Sequence, residues 1–401
     1  MPSRDLDFPV FDADNHMYET TDALTQHLPR EFQGVIDYVE VHGRTKIAVK
    51  GKISNFIPNP TFNVVGPPGA WEKYYREGNP EGKSTREMMG DPIRTPPAYF
   101  GPEARVKLMD EQGLDRALMW PTLASLIEER LRDDPSATQA VVTSLNRWMH
   151  EHWTFNYEDR IFPTPVISLT VLDQAIAELE WIIEHGARIF LMRPAPVPTV
   201  IASRSMALPE FDPFWARVAE ADIVVGLHSS DSGYTRYVNE WDGIPGGELE
   251  PFVQQTGFSA LTTIQHRPVE DTVTAIIGHG LPTRFPSLKF LPVENGSSWV
   301  LPLLEHMRRA YNMTPQYFDE EPADVFMRNF WVHPFHEDDS VTLVKAIGAD
   351  RVIFGSDYPH PEGLADPLSY VDDLAGLSHD DTVKIMGGNL ANLMGVGVGA
   401  A

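Results

Sequence analysis

The sequence predicts an α/β protein, a (β/α)8 TIM barrel forming one domain over residues 1–401, and three observations point there. Short apolar runs ending in polar or charged residues alternate with helical segments, the pattern of βα units and a parallel sheet. Eight such runs occur, the number that closes a barrel of this type. The acidic and imidazole side chains fall just past the ends of those runs, where the loops of such a barrel build its active site.

The first run is 8–13 (FPVFDA), leading into DNHMYE. The second, 116–120 (RALMW), follows a helical stretch that Gly113 stops. The third, 161–167 (IFPTPVI), follows the amphipathic segment 137–157, and the fourth, 187–192 (ARIFLM), follows a helix over 171–185 closed by Gly186. The fifth, 223–227 (IVVGL), runs into HSSDSG. The sixth, 288–293 (LKFLPV), runs into ENGSSW. The seventh and eighth, 329–332 (NFWV) and 351–354 (RVIF), run into HPFHEDD and GSDYPHPEG. An open doubly wound sheet is the competing architecture, but no GxGxxG follows a strand and no GxxxxGK[ST] occurs. Two segments exceed a plain βα loop: 32–99, rich in Pro, Gly and Asn, and 231–256. Both read as insertions over the same barrel end, placed to serve as lids and substrate walls.

Composition narrows the chemistry. With 32 Lys and Arg against 57 Asp and Glu, the net charge is −25, which repels nucleic acid and anionic headgroups. The expected partner is a small-molecule substrate. There is no cysteine, so thiolate nucleophiles, iron–sulfur clusters and Cys-ligated zinc are excluded, and any metal must be held by His, Asp and Glu. The N-terminus lacks the apolar core of a signal peptide and no run is long enough to span a bilayer, so the expected compartment is the cytoplasm.

Strand one is followed by Asp12, Asp14, His16 and Glu19. Alternate side chains of an extended backbone share a face, so Asp14 and His16 form a chelating pair for a divalent cation. His228 follows strand five, Glu294 strand six, His333 and His336 strand seven, Asp357 and His360 strand eight. Each of these has a simpler reading. Asp14 and Asp357 could be helix caps, Glu337 to Asp339 a solvated helix start, and His150, His152 and His279 packing groups. Independent caps have no reason to select His and Asp at one barrel end, so the cluster argues for a metal. Arg193, after strand four, is placed either to bind a substrate carboxylate or to pair with a surplus acid. Trp120, Tyr234, Trp241, Trp299 and Phe335 are candidates to wall the substrate. His360 would touch the substrate or support Asp357, and Glu19 would accept the free N–H of His16.

DADNHMYE, HSS after strand five, FPSLKFLPVENGSSWV and IGADRVIFGSDYPHPEG together resemble the amidohydrolase superfamily, over roughly residues 8 to 395. The most similar branch is the amidohydrolase-related group with aminocarboxymuconate-semialdehyde decarboxylase and the resorcylate-type decarboxylases. The resemblance implies one divalent metal ion, Zn or Mn, no organic cofactor, and a homodimer. It assigns Asp14, His16, His228 and Asp357 as ligands, with Asp357 also handling a proton. Asp14 departs from the family's His or Glu, and Glu294 stands where a catalytic His is usual. Glu294 is therefore carried as ligand or acid/base, beside His228 and Asp357 in the catalytic set. The expected activity is non-oxidative decarboxylation of a small aromatic or unsaturated acid. Metal-hydroxide hydrolysis of a C–N, C–O or activated C–C bond is the alternative, and a non-catalytic ligand-binding barrel with a decayed metal site is a third reading.

Overall fold

The computed structural model describes residues 6–244, 256–262 and 266–397. Parallel pairing joins the first strand, split into Phe11–Asp12 and His16–Met17, to Arg116–Pro121, which pairs in turn with Ile161–Pro163. A bridge from Val166 to Leu191 leads to Ile189–Met192, which pairs with Val224–His228 and through it with Phe290–Val293. Bridges Phe290 to Phe330, Val332 to Val352 and Asn15 to Tyr358 complete the circuit. The pairing follows chain order and returns to its start, the connectivity of an eight-stranded parallel barrel.

Several expected strands are shorter than their apolar runs. In the third, Pro163 and Pro165 carry no N–H, so the ladder is sparse: Thr164 N–H donates to Met119 O at 3.0 Å on one side, while on the other Pro165 O accepts from Leu191 N–H at 2.8 Å and Ile167 N–H donates to Leu191 O at 2.9 Å. The seventh and eighth are single bridges rather than strands, held by Val332 N–H to Arg351 O at 2.8 Å and Ile353 N–H to Val332 O at 2.9 Å. The helices match their signals more closely. Pro102–Gln112 begins on Pro and ends at Gly113, whose φ of 76° is the left-handed stop that glycine adopts without penalty. Pro135–Trp153 and Leu172–Glu184 bury the faces their apolar spacing marks.

Residues 32–99, read from length and composition as an insertion after strand one, hold an antiparallel sheet of Ile36–Val41, Arg44–Val49 and Lys52–Ser54, and a second pair, Val64–Val65 with Ile93–Arg94. The segment docks on the loop after the eighth strand: Gly69 N–H donates to His360 O at 3.2 Å and Trp71 N–H to Pro361 O at 2.8 Å. Arg76 grips Asp373 with both terminal nitrogens, at 2.7 and 2.9 Å. In the second proposed insertion, Thr235–Asp242 is helical, while 245–255 lie outside the described residues. Among the described residues no helix is long and apolar enough to cross a membrane.

Candidate metal centre

Asp14, His16, His228 and Glu294 each offer a ligand atom within 4.8 Å of the others, and His16, Glu294, Asp357 and His360 form an overlapping group. The spacings are regular. His16 Nε2 lies 3.3 Å from Asp14 Oδ1, 3.4 Å from Glu294 Oε2 and 3.5 Å from Asp357 Oδ1. His228 Nε2 lies 3.6 Å from Asp14 Oδ1 and 3.3 Å from Glu294 Oε2. Nitrogen and oxygen ligands bound at about 2.1 Å sit about 3.4 Å apart in a tetrahedron, so these spacings match the edges of a coordination shell.

The hydrogen bonds leave the right atoms bare. His228 Nδ1 donates to Ser229 O at 2.9 Å, so its Nε2 carries the lone pair. Thr122 Oγ1 gives its own proton to Met17 O at 3.0 Å and therefore accepts from His16 Nδ1 at 3.4 Å, which leaves His16 Nε2 bare as well. Both Nε2 atoms, both carboxylate oxygens of Asp14 and Asp357 Oδ2 are buried without a hydrogen-bond partner. Buried polar atoms without partners are costly, and bare imidazole nitrogens and carboxylate oxygens in one cluster fit a cation.

Electrostatics agrees. Burial alone would lower the His16 pKa, but the adjacent Asp14 and Glu294 carboxylates raise it to about 9. Burial would raise Asp14, yet the His16 and His228 imidazoles hold it well below the carboxylate range. Asp357 is driven well above its usual value by burial, then by the charges of Glu294 and Asp14. Positive charge is drawn to this point, and a divalent cation would supply it without protonating the imidazoles.

The surroundings fix these side chains. Buried Asp12 accepts from Asp14 N–H at 3.0 Å, Asn15 Nδ2 at 2.8 Å, Ser356 N–H at 2.9 Å and Ser356 Oγ at 2.5 Å, tying strand one to the loop of strand eight. Gly355 must be glycine, since a Cβ there would stand 2.6 Å from Asp14 Cβ and 2.7 Å from His333 Nε2. Glu294 and Asp357 have φ of 56° and 55°, a conformation non-glycine residues adopt rarely and that clusters at functional sites. His360 Nδ1 is 2.8 Å from Asp357 Oδ1, and its ring lies 4.0 Å from that of His16. Tyr18 stacks on Phe62 of the 32–99 segment, with ring centroids 4.4 Å apart, and lies 6.0 Å from His360, giving the site an aromatic flank.

Four expectations are corrected. Arg193 does not face the cluster: it is buried on Glu129 at 3.0 Å, Asp231 O at 3.1 Å and Pro196 O at 3.4 Å, so it braces loops instead of meeting a substrate. We expect Arg193→Met to lower unfolding free energy by about 1–3 kcal/mol in urea titration, because it breaks a buried pair, while KM stays within about threefold; a KM rise above tenfold would return Arg193 to substrate binding. Trp120 is fully buried, donates to Ala13 O at 2.8 Å and packs 4.6 Å from the His228 ring, so it supports His228 and is no substrate wall. Trp299 is buried, donates to Gly296 O at 2.9 Å and packs on Phe326. Glu19 accepts from Leu123 N–H at 2.7 Å and leaves orientation of His16 to Thr122; burial pushes its carboxyl up to about 8.

The remaining groups sort by partner. Asp339 caps the helix Ser340–Ile347, and Asp338 accepts from Ser297 and Phe335 N–H. His279 contacts Ser205, and His150 and His152 pack among aromatic rings. Tyr234 donates to Asp271, Trp241 is exposed beside Phe258, and Phe335 packs between His333 and His336. Thr122, Ser356 and Arg105 were not anticipated. Arg105, buried, donates to the His16 carbonyl and lies 5.4 and 5.6 Å from the Tyr99 and Tyr358 rings, a fixed cation behind the cluster.

The amidohydrolase family model matches residues 12–395. A gamma-resorcylate decarboxylase from Polaromonas sp. is 24% identical over 302 residues, 73% of this chain and 86% of the relative. The crystal structure of an amidohydrolase from Mycobacterium avium subsp. paratuberculosis K-10 superposes with a TM-score of 0.91 at 38% identity, covering 97% of this chain and 100% of the other. A dihydroxybenzoic acid decarboxylase from Polaromonas sp. JS666, solved with manganese and 2-nitroresorcinol, shares the fold at a TM-score of 0.60 and 16% identity, covering 97% of each chain. This chain belongs to the amidohydrolase family and is a metal-dependent enzyme related to decarboxylases of aromatic acids.

Proposed function

We propose that the protein catalyses the metal-dependent, non-oxidative decarboxylation of a small aromatic or unsaturated carboxylic acid. One observation carries this reading: the buried Asp357 carboxyl group stands with Oδ1 3.5 Å from His16 Nε2, beside the convergent ligand atoms, where burial and the charges of Glu294 and Asp14 push its pKa up. Asp14, His16, His228 and Glu294 would hold a manganese or zinc ion, with Asp357 at its edge. When bound, the cation would supply positive charge and Lewis acidity toward an anionic substrate. With Arg193 committed to Glu129, that charge is what meets the anionic substrate.

Asp357 then delivers its proton to the carbon that bears the carboxylate. The bond to the carboxyl carbon breaks, its electron pair returns to the ring or double bond, and carbon dioxide leaves. His360, 2.8 Å from Asp357, is the group placed to pass a proton back. The Tyr18 and Phe62 flank suits a planar, unsaturated substrate.

The test is a panel of hydroxybenzoates, beginning with the dihydroxybenzoates on which the relatives act, assayed for carbon dioxide with manganese-loaded, zinc-loaded and chelator-treated protein. Release that depends on metal is expected. Hydrolysis of ester, lactone or amide substrates with no carbon dioxide from any acid would overturn the reading. So would less than about 0.2 metal per chain after expression in supplemented medium, since a shell of this chemistry binds strongly.

A further inference from the structure

His333 is not among the ligand atoms that converge, yet both of its ring nitrogens are engaged in a buried position of 1% exposure. Nε2 lies 3.1 Å from Gly355 O, a carbonyl that only accepts, so Nε2 carries the proton. Nδ1 is then a lone pair, and the Glu294 N–H donates to it at 3.2 Å. The ring thus links three strand ends: it stands on the seventh, holds the backbone of Glu294 on the sixth, and holds the carbonyl two residues before Asp357 on the eighth. Its Nδ1 also lies 3.6 Å from Asp14 Oδ2, from the first.

The backbone at these points needs holding. Glu294 sits at φ 56° and Asp357 at φ 55°, conformations that persist only where neighbouring structure imposes them. The bond from Glu294 N–H to His333 Nδ1 acts on the strained residue itself. Gly355 admits the ring because it has no Cβ, which would stand 2.7 Å from Nε2.

We infer that His333 is a positioning residue whose neutral Nε2–H ring sets the Glu294 carboxylate in the ligand shell and couples it to the Asp357 loop. The inference rests on the metal-site reading above. An Asn side chain places its oxygen where Nδ1 was and keeps the acceptor for Glu294 N–H. A Gln side chain places its amide nitrogen where Nε2 was and keeps the donor to Gly355, but loses that acceptor.

The experiment is calorimetric titration of manganese into chelator-stripped full-length protein: wild type, His333→Asn and His333→Gln. Loss of an outer partner of a metal site weakens affinity by about 10–100-fold. His333→Gln is expected to weaken manganese binding by that factor and His333→Asn by less than about threefold. Equal weakening in both, or none in either, reduces His333 to packing and overturns the assignment. Wild type that binds no manganese instead defeats the metal-site reading on which it rests. Should either variant fail to fold, nitrogen-15 shifts of the His333 ring in the wild-type protein decide: the Nε2–H tautomer upholds the assignment and the Nδ1–H tautomer overturns it.

Discussion

Asp357→Asn is expected to lower kcat for decarboxylation by about 10³-fold, with KM changed by less than about tenfold. The substitution keeps the shape and removes the transferable proton. General acids of this kind contribute about 10²–10⁴-fold, and the loss falls on kcat because the proton moves only in the transition state. Burial and the adjacent Glu294 and Asp14 charges push the Asp357 carboxyl up, the direction that suits a group delivering a proton. Its placement depends on Ser356, whose N–H and hydroxyl both bond to Asp12, and on Gly355, which lets strand one and His333 approach. The check is steady-state kinetics on the acid with the highest turnover, alongside manganese titration. Retention of more than a tenth of wild-type kcat, with metal bound, would assign the proton to another group, and His360 is then the next candidate at 2.8 Å.

The barrel was legible because each strand is a short apolar run, and the first, fifth, sixth and eighth lead into the acidic and imidazole side chains that cluster. Asp14 and His16 could be paired by the two-residue alternation of an extended chain, and the structure sets His16 Nε2 3.3 Å from Asp14 Oδ1. What pattern alone could not supply was direction beyond the strand ends. Arg193 stands at the correct end, but its guanidinium turns to Glu129, which arrives from 64 residues away in sequence. Orientation of His16 by Thr122 rests on a parallel register between His16 and Trp120 that no local signal carries. Glu19 is three residues from His16, yet its carboxylate caps the Leu123 N–H instead. The sheet inside 32–99 was hidden by its Pro and Gly content, which marks the turns and says nothing of the pairing between them.

His228→Ala is expected to weaken manganese affinity by about 100-fold or more and to abolish metal-dependent turnover at micromolar metal, while leaving the barrel folded. Outer partners of a metal site already account for about 10–100-fold, and a lost ligand removes a bond from the shell itself. His228 is the clearest candidate for this test, because Ser229 O takes its Nδ1–H and leaves Nε2 free of any partner in the protein. It also closes two edges of the shell, 3.6 Å from Asp14 and 3.3 Å from Glu294. The fold should survive because His228 ends its strand: Val224 to Leu227 keep their pairing with both neighbours, and the barrel core is untouched. The Trp120 ring, 4.6 Å from His228, would border the small cavity left behind, so a modest fall in Tm accompanies the change. Circular dichroism establishes the fold, elemental analysis and manganese titration the affinity. A His228→Ala protein that retains stoichiometric metal and wild-type turnover would exclude His228 from the shell and move the site to the overlapping group of His16, Glu294, Asp357 and His360.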